Sequence, residues 1–128
     1  MRELELGDLE GRSTTLGTPE EVDAYLREHG DCLIFKAGAC GRTDDALAEV
    51  KDALDGYPHL PVALIDVIAA RPASRHLAHR ARVEHASPQV ILFRCGEVAY
   101  AQDNYRITAK ALRSALAGPP PQLPDRPA

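Results

Sequence analysis

Of the three cysteines in this 128-residue chain, Cys32, Cys40 and Cys95, one stands where proteins activate a thiol. Cys40 follows the apolar run Cys32-Leu33-Ile34-Phe35-Lys36 and the breakers Ala37-Gly38-Ala39, and it precedes a stretch with helical spacing that begins at Gly41. A thiol at a helix N-terminus meets the positive end of the helix dipole and unpaired backbone N–H groups, which favour the nucleophilic thiolate. Lys36 and Arg42 add positive charge, whereas Asp44 and Asp45 repel the thiolate. The expected sum is a modest pKa depression, which suits an attacking thiol, since exchange is fastest when its pKa lies near ambient pH. A second thiol three residues on would allow a local disulfide, but that position is Thr43. Any redox cycle therefore needs a thiol from elsewhere. Thr43 has two roles open to it, donating to the sulfur or bonding to backbone.

The other thiols are placed by strand geometry. Cys32 begins the strand that Cys40 follows, and Cys95 lies past the far end of a strand starting near Pro88. Each should be about 20 Å from Cys40 at the usual strand rise, beyond the Cα separation a disulfide allows. Cys32 reads as a buried core thiol and Cys95 as a turn residue, and the two approach one another if their strands are antiparallel neighbours. His76 and His79, three apart on a helix, have metal-ligand spacing but no third ligand nearby, so a solvated face is expected. His85, two residues before Ser87, either packs its loop or meets a substrate. Arg71 either anchors its own loop or makes a bidentate contact with a carboxylate.

These residues need elements to hold them. Thr18-Pro19-Glu20-Glu21 has the form of a capping box with Pro at the first helical position, and predicts a helix burying Val22, Tyr25 and Leu26, with Gly30 as its stop. Residues 31–36 predict a buried strand. Ala46, Leu47, Val50 and Leu54 predict a helix from Gly41 to about Leu54. A second buried strand is expected over Pro61–Val67, completing a parallel βαβ unit. A helix after Arg71-Pro72 should turn Ala73, Leu77, Ala78 and Ala81 inward. Residues 89–93 and 97–100 predict a hairpin around Arg94-Cys95-Gly96, and Thr108 caps a last helix closed by Gly118. Residues 118–128 hold five prolines and predict a disordered tail after a single domain over 1–117.

Composition narrows the function. A hydrophobic fraction of 45% supports a real core, while a formal net charge of −4, no Trp, two Phe and four Tyr argue against nucleic acid as a partner. No apolar run approaches the roughly 20 residues of a membrane span. Met1-Arg2-Glu3-Leu4-Glu5 lacks the basic-then-apolar pattern of a signal peptide, so a cytoplasmic location and reduced thiols are expected.

The order helix, strand-helix-strand, helix, strand-strand-helix, with Cys40 after the first strand and Ser87-Pro88 before the third, resembles the thioredoxin fold. The resemblance implies an α/β fold with a central mixed four-stranded sheet flanked by helices, an extra N-terminal helix, and a cis proline at Pro88 lying against the reactive cysteine. Within that superfamily, residues 18–116 resemble the monothiol bacilliredoxins. The resemblance is carried by Leu33-Ile34-Phe35-Lys36 leading to Cys40, Ile65-Asp66-Val67-Ile68 before Arg71-Pro72, Glu84-His85-Ala86-Ser87-Pro88-Gln89-Val90-Ile91-Leu92, and Asn104 ahead of Ile107-Thr108. The family cysteine is typically followed by Pro, Ile and Ser; here Gly41, Arg42 and Thr43 follow, keeping only the hydroxyl of the third position.

The resemblance implies a thiol–disulfide exchange protein in which Cys40 takes bacillithiol from client cysteines, supported by Lys36, Gly41, Arg42, Thr43, Arg71, Ser87 and Pro88. Bacillithiol is then the co-substrate, with no tightly bound cofactor and no metal, and a low-molecular-weight thiol or a partner reductase completes the cycle. Two other classes stay open: a binding module that presents the Ser87-Pro88 edge to a protein without exchange chemistry, and an iron–sulfur carrier built on the single cysteine and its following glycine.

Overall fold

The computed structural model describes residues 13–39 and 41–118. Cys40 and the tail from Pro119 lie outside the described residues, as do residues 1–12. The chain runs β1 (Ser13–Thr15), α1 (Pro19–Glu28), β2 (Cys32–Ala37), α2 (Gly41–Leu54), β3 (Val62–Asp66), α3 (Arg71–Ala81), β4 (Gln89–Arg94), β5 (Glu97–Asp103), a 3-10 turn (Asn104–Arg106) and α4 (Ala109–Ala117).

The sheet has five strands rather than the expected four, in the order β1-β3-β2-β4-β5. The extra strand, Ser13-Thr14-Thr15, pairs in parallel with Val62–Leu64, and Leu16 continues the ladder by donating to the Leu64 carbonyl at 2.8 Å. Its three residues are polar and at least partly exposed, so hydrophobic periodicity gave no sign of it. The βαβ unit is as expected, with β2 parallel to β3 from Leu33↔Val62 to Ala37↔Asp66. β4 returns antiparallel to β2, with Lys36 opposite Gln89, and β5 pairs antiparallel with β4, with Gln89 opposite Asp103. The ends of β2, β3 and β5 and the start of β4 therefore share one edge of the molecule.

Alternation along β2 divides the core. Leu33, Phe35 and Ala37 face α2 and α4 together with Val62, Leu64, Val90 and Leu92. Cys32 and Ile34 face α1 and α3 with Ala63, Ile65, Ile91 and Phe93. Full burial of aliphatic and aromatic side chains of this size contributes about 1.5–3 kcal/mol each, so the two layers hold the sheet from both sides.

Helix ends follow the capping rules with two adjustments. Thr18 Oγ1 accepts from the Glu21 N–H at 3.1 Å, but the Glu21 carboxylate reaches back to the Gly17 N–H at 2.7 Å, one residue beyond the usual capping-box donor. Gly30 directly follows the extended C-cap His29 of α1 but has no positive φ, and its carbonyl accepts from Gly96 N–H at 2.9 Å. Thr108 caps α4 as expected, accepting from Ala111 N–H at 3.2 Å, and Glu49 of α2 accepts from Ala109 N–H at 2.6 Å. The hairpin turn narrows to Cys95 and Gly96, with φ of 55° and 80°, the positive pair that a two-residue turn between twisted strands requires. α3 begins at Arg71, two residues before the expected start, with Pro72 in its first turn.

Candidate functional site

The chain places Cys40 between Ala39 and Gly41, the first residue of α2. Its neighbours form a compact frame. Thr43 is fully buried in the first turn of α2, and its Oγ1 accepts from the Gly38 N–H at 3.0 Å. That bond answers part of the choice left open for Thr43: one lone pair ties α2 back to the loop before it. Gly38 is fixed by a second contact, because a Cβ there would lie 2.3 Å from Ser87 Oγ. The Ser87 hydroxyl occupies the space beside Gly38 that any side chain would need, which holds the loop carrying Ser87-Pro88 against the loop leading to Cys40. The Ser87–Pro88 peptide bond is cis, and Pro88 is buried. Gly41 has open space around its Cβ direction and no positive φ, so no contact demands a glycine.

Arg42 is exposed on the first turn of α2, with its guanidinium carbon 5.7 Å from the centroid of the Tyr105 ring. This cation–π distance joins α2 to the 3-10 turn after β5. A cleft of about 180 Å³ lies below the pair, lined by residues that include Asp45, Glu49, Asn104 and Thr108. Tyr105 is 73% exposed and Ile68, after β3, 63%; both lie at the sheet edge that carries Ser87 and Gly38.

Lys36 is a buried charge. Strand alternation turns it to the α1/α3 side, where it is fully buried. Its Nζ donates to the Ser74 carbonyl at 3.3 Å and lies 2.9 Å from His85 Nδ1; Ser74 Oγ lies 3.2 Å from the same nitrogen. Burial holds the Lys36 ammonium down to about 8. His85 is also lowered, by partial desolvation first and then by the nearby cations Lys36, Arg75 and Arg71. A neutral His85 whose Nδ1 accepts from the ammonium carries its proton on Nε2. Gln89, opposite Lys36 in the sheet, is nearly as buried; its Nε2 donates to the Glu84 carbonyl at 3.0 Å while its Oε1 has no partner among the described residues. This cluster of Lys36, Ser74, His85 and Gln89 ties β2, α3 and the segment before Ser87 together. Ser74 and Gln89 escaped the sequence reading, although each is a polar residue at a position that periodicity assigns to the core.

Arg71, the first residue of α3, is exposed, as is Arg75 one turn later. Cys32 is fully buried, and burial together with the Asp31 carboxylate pushes its thiol up to about 12. Cys95 is exposed, with its N–H donating to Asp31 Oδ1 at 2.7 Å, and both thiols are free. His76 does more than face solvent. Its Nε2 lies 2.7 Å from Asp23 Oδ1, and Arg80 hydrogen-bonds the same oxygen, so α3 is clipped to α1 and the Asp23 carboxyl is lowered, chiefly by His76. No group of three or more His, Cys, Asp or Glu side chains among the described residues is arranged to hold a metal. No helix among them is long and apolar enough to cross a membrane.

Residues 14–112 match the family model described as Monothiol bacilliredoxin BrxC. The chain belongs to the monothiol bacilliredoxin family. Solved structures similar to this bacilliredoxin share the architecture. A protein described as having a thioredoxin fold is 21% identical, covers 84% of this chain and 96% of its own, and superposes with a TM-score of 0.76. A poplar thioredoxin h mutant is 20% identical over 91% of this chain and 88% of its own, with a TM-score of 0.67. Thioredoxin from Fasciola hepatica is 18% identical over 80% and 95%, with a TM-score of 0.62. At these identities the likeness shows the fold alone. Fold and family together give this bacilliredoxin a thiol–disulfide redox role.

Proposed function

We propose that the protein removes bacillithiol from client cysteines by monothiol exchange at Cys40. The Cys40 thiolate attacks the bacillithiol sulfur of a client mixed disulfide. The client S–S bond breaks as the Cys40–bacillithiol S–S bond forms, and the client leaves as a thiolate that takes a proton from water. One disulfide replaces another, so no outside oxidant enters this step. A second low-molecular-weight thiol, or a partner reductase, then attacks the adduct and returns Cys40 to its reduced form. The client's extended chain would lie along the Ser87-Pro88 edge, with Arg42 and Arg71 near the mixed disulfide. The reaction would take place in the cytoplasm, whose low-molecular-weight thiols and reductases return thiols to the reduced state.

The observation that carries this reading is Thr43. It occupies the third position after Cys40, buried and bonded to Gly38, so the motif supplies no second thiol to resolve an adduct, and an adduct with a small thiol is the natural resting product. Cys32 does not substitute for it, being buried and held protonated. The test is mass spectrometry after exposure to bacillithiol disulfide and, separately, glutathione disulfide, for wild type and Cys40→Ser. An adduct on Cys40 that forms preferentially with bacillithiol, and is lost in the variant, is expected. No adduct with either disulfide would overturn the exchange reading in favour of a binding module.

A further inference from the structure

Lys36 is a buried ammonium that no carboxylate among the described residues neutralises. It is fully inaccessible, and burial alone holds it down to about 8. Its two hydrogen-bond partners are the Ser74 carbonyl at 3.3 Å and His85 Nδ1 at 2.9 Å. His85 itself is an exposed residue, so its imidazole joins a buried amine to solvent. The charges around the pair come from several elements. Partial desolvation lowers His85 first, followed by Lys36 of β2 and by Arg75 and Arg71 of α3. Glu84, just before the ring, is exposed, and its carbonyl accepts from the buried Gln89 side chain of β4. Asp66 at the end of β3 is committed to the Ile68 and Ala69 N–H groups at 2.9 and 3.1 Å, and Asp103 at the end of β5 to Arg106 at 3.3 Å.

An aliphatic amine is a stronger base than an imidazole, and an imidazole N–H is a stronger acid than an amine N–H. While Lys36 is an ammonium it donates to Nδ1, and the ring proton sits on Nε2. Once that ammonium is neutral, the better donor and the better acceptor have changed places. We propose that Lys36, Ser74 and His85 form a proton relay that reverses the His85 tautomer as Lys36 titrates, turning the outer ring nitrogen from a donor into an acceptor. One proton is released. The hydrogen between Nζ and Nδ1 passes to Nδ1, and the Nε2 hydrogen passes to water. The amine keeps two hydrogens, one still directed at the Ser74 carbonyl, and its lone pair accepts from the new Nδ1–H. Ser74 Oγ, 3.2 Å from Nδ1, is a second acceptor for that hydrogen. No charge is left buried in the pair. His85 stands two residues before Ser87, whose hydroxyl abuts Gly38, so this edge of the molecule offers a hydrogen-bond donor at neutral pH and an acceptor at alkaline pH. The relay stands whether or not Cys40 performs exchange.

The tautomer is read directly by long-range proton–nitrogen correlation NMR on the full chain labelled with nitrogen-15 in its histidines, from pH 7 to pH 9.5. His85→Gln assigns the ring among the five histidines. At pH 7, about one pH unit below the Lys36 midpoint, the Nε2-protonated form should lead by about ten to one, and at pH 9.5 the Nδ1-protonated form should lead instead. Lys36→Met, close in length and without charge, should hold one tautomer ratio across the whole range. Cys40→Ser should keep the reversal, because the relay ends at Nε2 and not at the thiol. A wild-type tautomer that stays on Nε2 through pH 9.5 would overturn the relay, whether or not the Lys36 variant folds. So would a reversal that persists in folded Lys36→Met, or one that disappears in Cys40→Ser and thereby belongs to the thiol.

Discussion

The two faces of the sheet are built to different rules. On the α2/α4 side the buried layer is aliphatic and aromatic from one edge to the other, and Phe35, Leu64, Leu92 and Leu112 are all essentially inaccessible. On the α1/α3 side the same kind of layer stops short of the site edge, where Lys36, Ser74 and Gln89 take over. Of the four buried polar residues described, three are on this side and the fourth, Thr43, starts α2. The face under the helix that follows Cys40 thus supplies rigidity, and the opposite face supplies charge and hydrogen bonds to the Ser87 loop. The support of the helix after Cys40 is separate from the support of the Ser87 loop.

Truncation should separate the faces most strongly. Leu92→Ala removes a fully buried side chain from the apolar face and is expected to cost about 2–5 kcal/mol, by the same amount at pH 7 and pH 9.5 in urea unfolding. The other face should respond to pH instead. Lys36 falls from an ordinary value of 10.5 to about 8 in the folded protein. Between those values the unfolded chain holds a proton that the folded one has lost, so stability rises with pH across that window. The unfolding free energy of wild type relative to Lys36→Met should therefore increase from pH 8 towards pH 10.5, by at most on the order of 3 kcal/mol. Cys32, whose raised thiol pKa acts in the opposite direction above pH 9, is present in both proteins and cancels. Parallel pH curves for the two would show that both faces are electrostatically alike.

The smallest effects lie where the faces meet, at the two glycines flanking Cys40. Gly38→Ala sets a methyl against Ser87 Oγ and should cost about 1–3 kcal/mol. The cost should largely vanish in a Ser87→Ala background, where the remaining contact is 3.6 Å, and a double-mutant cycle reads the difference. Gly41→Ala meets no atom within 4 Å and should stabilise the fold by about 0.4–1 kcal/mol through the unfolded chain. A Gly38→Ala penalty that persists without the Ser87 hydroxyl would place the constraint elsewhere.

What the sequence disclosed and what it withheld follow from the kind of signal each residue carries. α2 was legible to the residue because Ala46, Leu47, Val50 and Leu54 repeat at helical spacing over a long stretch. Thr18 and Thr108 were legible because N-capping is local chemistry. β1 was hidden because its three residues join the sheet by backbone alone. The pairing of β2 with β4 decided the rest. It brings Lys36 opposite Gln89 across more than fifty residues of chain, and with it His85 and Ser74, so the lysine is a buried anchor for the loop before Ser87, which local charge counting could not show. The Arg42–Tyr105 contact was equally invisible, since it needs the 3-10 turn at Asn104–Arg106 to be known first.

Cys32 gives this molecule an internal clock. Its sulfur, sealed in the sheet with a thiol pushed up to about 12, reacts with an alkylating probe only during moments when the strand itself opens. Under slow labelling its modification rate then measures the free energy of that opening. A labelling experiment followed for long enough would report how often the sheet opens around this sulfur.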